Sequence, residues 1–131
     1  MGVKQKIWRQ TMKKVLIVDD AEFMRLAIKT MLNKCGDIEY VEAANGIEAV
    51  QKFKDTKPDL VTMDITMPDM TGLEALKLIM DLDPKARVVM VSAMGQESMV
   101  KEAIMSGART FIVKPFKEEH VVSTVNKLLA L

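Results

Sequence analysis

Four short apolar runs, each closed by a polar side chain, restrict this chain to very few folds. Leu60-Val61-Thr62-Met63 ends in Asp64, and Pro68 and Gly72 follow close behind, so the chain must turn just past the acid. Val15-Leu16-Ile17-Val18 ends in Asp19-Asp20, Val88-Val89-Met90-Val91 in Ser92, and Phe111-Ile112-Val113 in Lys114. A strand that is apolar along its whole length is buried on both faces, as strands of parallel sheets are. Laid parallel, the four runs bring three carboxylates, a hydroxyl and an ammonium to one carboxyl edge. That edge is where open α/β sheets bind ligands.

Between the runs the apolar period changes from strand-like to helical. Residues 21–34 carry Glu22, Arg25, Lys29 and Asn33 at steps of three and four, a solvent stripe, with Met24, Ala27, Ile28, Met31 and Cys35 opposite and Gly36 as the stop. Ile38 to Ala43 alternates apolar and acidic residues, the pattern of a half-buried edge strand. Asn45-Gly46 opens a second helix that buries Ile47, Val50 and Phe53 and ends at Lys57-Pro58. Helices follow at about 72–81, burying Leu73, Leu76 and Met80, at about 96–106, and at about 117–130, with Val121, Val122, Val125, Leu128 and Leu129 on one stripe. Strand and helix alternating five times predict one α/β domain, a parallel sheet covered on both faces with right-handed crossovers. The domain spans 13–131, and residues 1–12 form an N-terminal extension. A short helix docking Trp8 on the body is one reading of that extension.

Composition excludes several classes of function. The 131 residues suit a single core, and a net charge of +1 gives no broad attraction to nucleic acid or a membrane surface. The one cysteine, Cys35, forms no internal disulfide and fits a reducing compartment. No apolar run approaches the roughly 20 residues of a membrane span, and the amino end lacks a signal-peptide core. A cytoplasmic protein is expected. The 12 methionines read mainly as fillers of core gaps, with an adaptable docking surface at Met94 to Met105 as the lesser reading.

Taken singly, the rim residues have plain explanations: Asp64 as a strand-end acid, Asp20 as the cap of the first helix, Lys114 as a surface lysine, Phe111 as core. Together they carry more. The stretches 15–25, Asp64 to Gly72, Ser92-Ala93-Met94-Gly95 and Phe111 to Phe116, in order and each after its own strand, resemble response-regulator receiver domains, most closely the single-domain chemotaxis type. The resemblance covers about 13–131. It implies a flavodoxin-like (βα)5 fold with strand order 2-1-3-4-5, an order for which this family already serves as a standard example.

The resemblance also implies roles. Asp64 is the phosphoacceptor, since a carboxylate can form an aspartyl phosphate. Asp19 and Asp20 are the metal-binding acid pair. Mg²⁺ suits crowded hard-oxygen ligands that leave room for waters. Asp20, Asp64 and the backbone carbonyl of Thr66 ligate it directly, and Asp19 acts mostly through water. Lys114 binds Asp64 or a phosphoryl oxygen, and the bond before Pro115 is cis. Ser92 is the hydroxyl switch and Phe111 the aromatic switch position, where Tyr is more usual. Thr66 and Met94 flank the path of attacking water and tune phosphate lifetime. The single histidine, His120, reads as a surface residue, so the phosphoryl donor must be another protein, a CheA-type histidine kinase. The output is docking on the flagellar motor switch or an adaptor through the last two helices and the strand between them. A phosphatase is a further partner, and the chain is a monomer.

Two rivals share parts of this pattern. A phosphorelay intermediate would pass the phosphoryl group from Asp64 to a histidine phosphotransfer protein. A haloacid-dehalogenase-type phosphatase also uses an aspartate nucleophile, but it needs a second acid two residues on, where Thr66 stands. A flavin carrier is weaker still, because two acids occupy the loop that would cradle the flavin phosphate.

Overall fold

The computed structural model describes residues 12–130; residues 1–11 and 131, and with them the docking of Trp8, lie outside the described residues. The elements run β1 (Lys13–Val18), α1 (Glu22–Leu32) with a 3₁₀ turn at Asn33–Cys35, β2 (Ile38–Ala43), α2 (Gly46–Thr56) and β3 (Leu60–Asp64). They continue with α3 (Gly72–Leu82), β4 (Val88–Ser92), α4 (Glu97–Met105), β5 (Thr110–Val113) and α5 (Glu118–Leu129). All strand pairings are parallel, as the residue pattern predicts, and the sheet order is β2-β1-β3-β4-β5, as the family resemblance implies.

The alternation of side chains along each strand divides the core in two. Leu16, Val18, Val61, Met63, Val88 and Met90 face α2, α3 and α4, where Ala49, Phe53, Leu76, Ile79 and Ala103 meet them. Val15, Ile17, Leu60, Val89 and Ile112 face α1 and α5 and pack on Ile28, Leu32, Val121, Val125 and Leu129. β3 and β4 are buried at every residue, as their continuous apolar runs require, whereas β2 is half-buried at the edge. Among the described residues, no helix is long and apolar enough to cross a membrane.

Helix starts follow local chemistry. The Asn45 side chain accepts the Glu48 N–H, and Thr71 and Glu74 form a reciprocal capping box at the start of α3. Gly36, at φ +102°, closes the 3₁₀ turn in a backbone region that glycine tolerates. Three expectations fail in detail. Ile47 is exposed, and Ala49 takes its place in the core, because the buried side of α2 is rotated toward Ala49 and Phe53. The solvent stripe of α1 is not free either: Arg25 and Lys29 lie part-buried against Glu42 of β2, while Phe23, 72% exposed, and Leu26 face water. Asp20 does not cap α1; Ala21 holds that position with no side-chain cap bond.

Candidate functional site

The strand register sets the site. Val18 pairs with Met63, so Asp19 and Asp64 leave the sheet at the same level. Asp64 pairs with Val91 and Ser92 with Val113, so Ser92 and then Lys114 follow one step outward. The rim therefore collects acids, hydroxyl and lysine through backbone pairing alone, before any side chain is considered.

The side chains converge. Asp19, Asp20 and Asp64 each present a carboxylate oxygen, and these oxygens lie within 4.8 Å of one another. Asp19 and Asp64 are buried, while Asp20 is open to solvent. Lys114 Nζ donates to Asp19 Oδ2 at 3.2 Å and to Asp64 Oδ1 at 3.4 Å. Asp19 Oδ1 accepts the Ala21 N–H at 2.9 Å, so both of its oxygens are engaged. The Lys114–Pro115 bond is cis. Lys114 N–H donates to the Ser92 carbonyl at 2.7 Å, tying the ends of β4 and β5 together. The Ser92 residue itself is buried.

Electrostatics mark Asp64. Burial, and then the charge of Asp19, push its carboxyl up from 3.8 to about 6, while Lys114 partly offsets them. Burial would lower the Lys114 ammonium, but Asp64 and Asp19 outweigh it and hold the pKa above its ordinary value. Three hard oxygen donors crowded together, one of them facing water, suit a small divalent cation better than they suit each other.

Stability should depend on pH accordingly. Folded Asp64 binds its proton more tightly than the unfolded chain does, so metal-free stability falls as pH rises from roughly 4 through about 6. At one pKa unit per 1.36 kcal/mol, the penalty above that window is on the order of 2–3 kcal/mol. In EDTA at pH 7.5, Asp64→Asn should therefore melt several degrees above wild type, and the gap should close near pH 4. Parallel melting curves across that range would show that Asp64 is not destabilised.

Other predicted residues occupy different settings. Thr66 is exposed, and its Oγ1 accepts from Gln96 Nε2 at 2.6 Å. Met94 is 78% exposed on the loop after Ser92. Phe111 is not core: it is 42% exposed and lines an apolar groove of about 490 Å³ with Met94, Val100, Ile104, Met105 and Val113. His120 is exposed, as expected.

Two features escaped sequence reasoning. Arg25 Nη1 donates to the Asp19 carbonyl at 2.7 Å, and Arg25 Nε donates to Glu42 at 3.0 Å, bracing the acid-bearing loop. Lys29 and, less, Arg25 hold the Glu42 carboxyl below its usual range. Arg25 lies inside the 15–25 motif, which was the one available signal; its helical spacing pointed to solvent. Gln96 carried no signal at all.

The model of the response regulator receiver domain family matches residues 15–126. Chemotaxis protein CheY of Thermotoga maritima is 56% identical over 116 residues, 88% of this chain and 97% of that protein. Chemotaxis protein CheY of Bacillus subtilis is likewise 56% identical over 116 residues, with the same coverage of both chains. A chain in the crystal structure of the CheX–CheY–BeF3–Mg complex from Borrelia burgdorferi matches with a TM-score of 0.84 at 40% identity, covering 92% of each chain. With this sheet order, this acid-and-lysine rim and these likenesses, the chain belongs to the response regulator receiver domain family, as a CheY-like member of two-component chemotaxis signalling.

Proposed function

We propose that the chain accepts a phosphoryl group on Asp64 from a histidine kinase in a Mg²⁺-dependent reaction and, once phosphorylated, docks on the flagellar motor switch. The observation that carries this reading is the rim itself: three carboxylates within 4.8 Å, with Lys114 reaching two of them. The protein works as a cytoplasmic monomer and a phosphoacceptor that assists its own phosphorylation and dephosphorylation.

A pKa of about 6 leaves Asp64 largely ionised at neutral pH, as a nucleophile must be. Its carboxylate oxygen attacks the phosphorus of the donor's phosphohistidine. An O–P bond forms as the P–N bond breaks, and the departing imidazole takes up a proton. Lys114 leaves Asp64 for a phosphoryl oxygen, exchanging one anionic partner for another. Asp20, Asp64 and the Thr66 carbonyl would hold the metal, with Asp19 acting through water. When bound, Mg²⁺ supplies charge neutralisation to the phosphoryl oxygens. Asp19 stays anchored by Ala21 and Lys114. Water attack on phosphorus later returns the free acid, with Thr66 and Met94 setting access.

Ser92 connects the rim to the output face. It lies one step beyond Asp64's register partner, Val91, and also lines the groove that Phe111 and α4 form. The Ser92 hydroxyl, drawn toward a phosphoryl oxygen, would pull the following loop and reshape that groove. Phe111 has no hydroxyl to anchor its ring, so packing alone sets its position. Moving a population from 1:99 to 99:1 takes roughly 5.5 kcal/mol of preference. Two charge-assisted bonds, from Lys114 and Ser92, supply less than that, so the shift is incomplete in the absence of a partner.

A pull-down from cell extract with beryllofluoride-treated and untreated protein tests the reading. Treated protein should retain the motor-switch component, and untreated protein should not. Equal retention would refute switch-like output. Retention of a histidine phosphotransfer protein that takes label back from Asp64 would instead establish the phosphorelay role.

A further inference from the structure

Gln96 stands at the N-cap position of α4, yet its side chain makes no bond to the helix it begins. The carboxamide turns outward instead. Oε1 accepts the Ala93 N–H at 2.7 Å, and Nε2 donates to Thr66 Oγ1 at 2.6 Å. One side chain thus ties the loop after Ser92 to the loop after Asp64. Packing does not hold that first loop. Met94 points to water, and around Gly95, at φ +91°, an added Cβ would meet nothing within 4 Å. Below it, Ser92 is buried and its carbonyl is held by Lys114 N–H. Ser92 is thus tied down, and just past it the Gln96 carboxamide bonds the loop through the Ala93 N–H.

A phosphoryl group on Asp64 would need more donors than Lys114 and Ser92 offer. The next one along the chain is the Ala93 N–H, which Gln96 occupies. A charged phosphoryl oxygen makes stronger hydrogen bonds than a neutral amide carbonyl, so it should win the competition. Losing that bond frees Gln96, and Gln96 is the first residue before α4, whose Val100, Ile104 and Met105 line the apolar groove.

We infer that the Gln96 carboxamide is a positioning latch: it holds the Ser92 loop in the resting arrangement, and its displacement by the phosphoryl group transmits the change at Asp64 to α4. This rests on the phosphoacceptor reading of Asp64. The latch opposes phosphorylation, so removing it should ease the reaction.

The test uses the full chain with Mg²⁺ and beryllofluoride, reading half-saturation from amide NMR shifts at the rim, alongside labelling by acetyl phosphate. Gln96→Ala should lower the half-saturating concentration several-fold, speed labelling by a similar factor, and make the Ala93 amide exchange faster with solvent in the untreated protein. Gln96→Glu keeps an acceptor for the Ala93 N–H and makes it charged, so it should shift half-saturation in the opposite direction. A merely structural role would move both variants the same way, together with their melting temperatures. Wild type and Gln96→Ala agreeing within two-fold, with wild type labelled on Asp64, would overturn the latch and leave the phosphoacceptor reading standing. Failure to label wild type at all would overturn both.

Discussion

Asp64→Asn is expected to abolish labelling by acetyl phosphate and by a histidine kinase while leaving the fold intact. Asparagine matches aspartate in shape, but its amide oxygen is uncharged and makes a poor nucleophile toward phosphorus. Asp19 does not offer a substitute: its oxygens are engaged by Ala21 and Lys114. Asp20 is open to solvent, and the Lys114 ammonium reaches Asp19 and Asp64 instead. The loss should therefore reach background. It should occur in a protein that is more stable than wild type at neutral pH without metal, because the burial penalty on Asp64 goes with the charge. Intact-mass spectrometry separates these outcomes. A full extra phosphoryl group on a well-folded variant would move the acceptor to another residue.

The second large effect is expected at Gly72, where backbone packs directly against backbone. A Cβ built there would lie 1.9 Å from the Asp64 carbonyl oxygen and 2.9 Å from Ile65 Cα. Both are backbone atoms that cannot swing aside. Gly72 N–H also donates to the Ile65 carbonyl at 2.7 Å, so α3 begins in direct contact with the end of β3. Gly72→Ala must push the helix off the strand or bend the strand that carries Asp64. Overpacking of this kind costs roughly 1–3 kcal/mol and sometimes more, out of a total of about 5–15 kcal/mol for a domain. A fall in melting temperature of about 10 °C is expected, together with slower labelling of Asp64. Gly95→Ala is the control: its Cβ meets nothing, so only the strained φ is felt, at roughly 1–2 kcal/mol, and the Asp64 strand is not pushed. Equal melting temperatures for Gly72→Ala and wild type would mean that α3 does not start against the Asp64 peptide.

Gly72 also shows what a sequence can and cannot reveal. Its place after Pro68 marks a turn, and the turn is there. That the turn brings a helix within touching distance of a strand end is a matter of tertiary approach, which no local pattern encodes. The strands were legible because burial on both faces forces unbroken apolar runs, and their common level at the rim follows from similar run lengths. Asp19, Asp64, Ser92 and Lys114 were legible for the same reason, each being the first polar residue after its run. Ile47 misled because apolar type does not reveal which side of a helix meets water. Phe111 follows the same rule, an apolar residue left exposed beside the groove. Arg25 and Gln96 were missed because their partners, Glu42 and Thr66, lie 17 and 30 positions away along the chain. Hydrogen bonds between distant loops leave no period to detect.

One measurement bears most directly on the acid pocket of Asp19, Asp20 and Asp64 as the site of metal-dependent phosphoryl transfer. Wild-type protein is treated with acetyl phosphate in Mg²⁺ or in EDTA, reduced with borohydride to convert an aspartyl phosphate into homoserine, and digested for peptide mapping. Homoserine at position 64 in the Mg²⁺ sample, and none there in EDTA, is the expected result. Modification at another position, or equal modification of Asp64 with the metal removed, would contradict it.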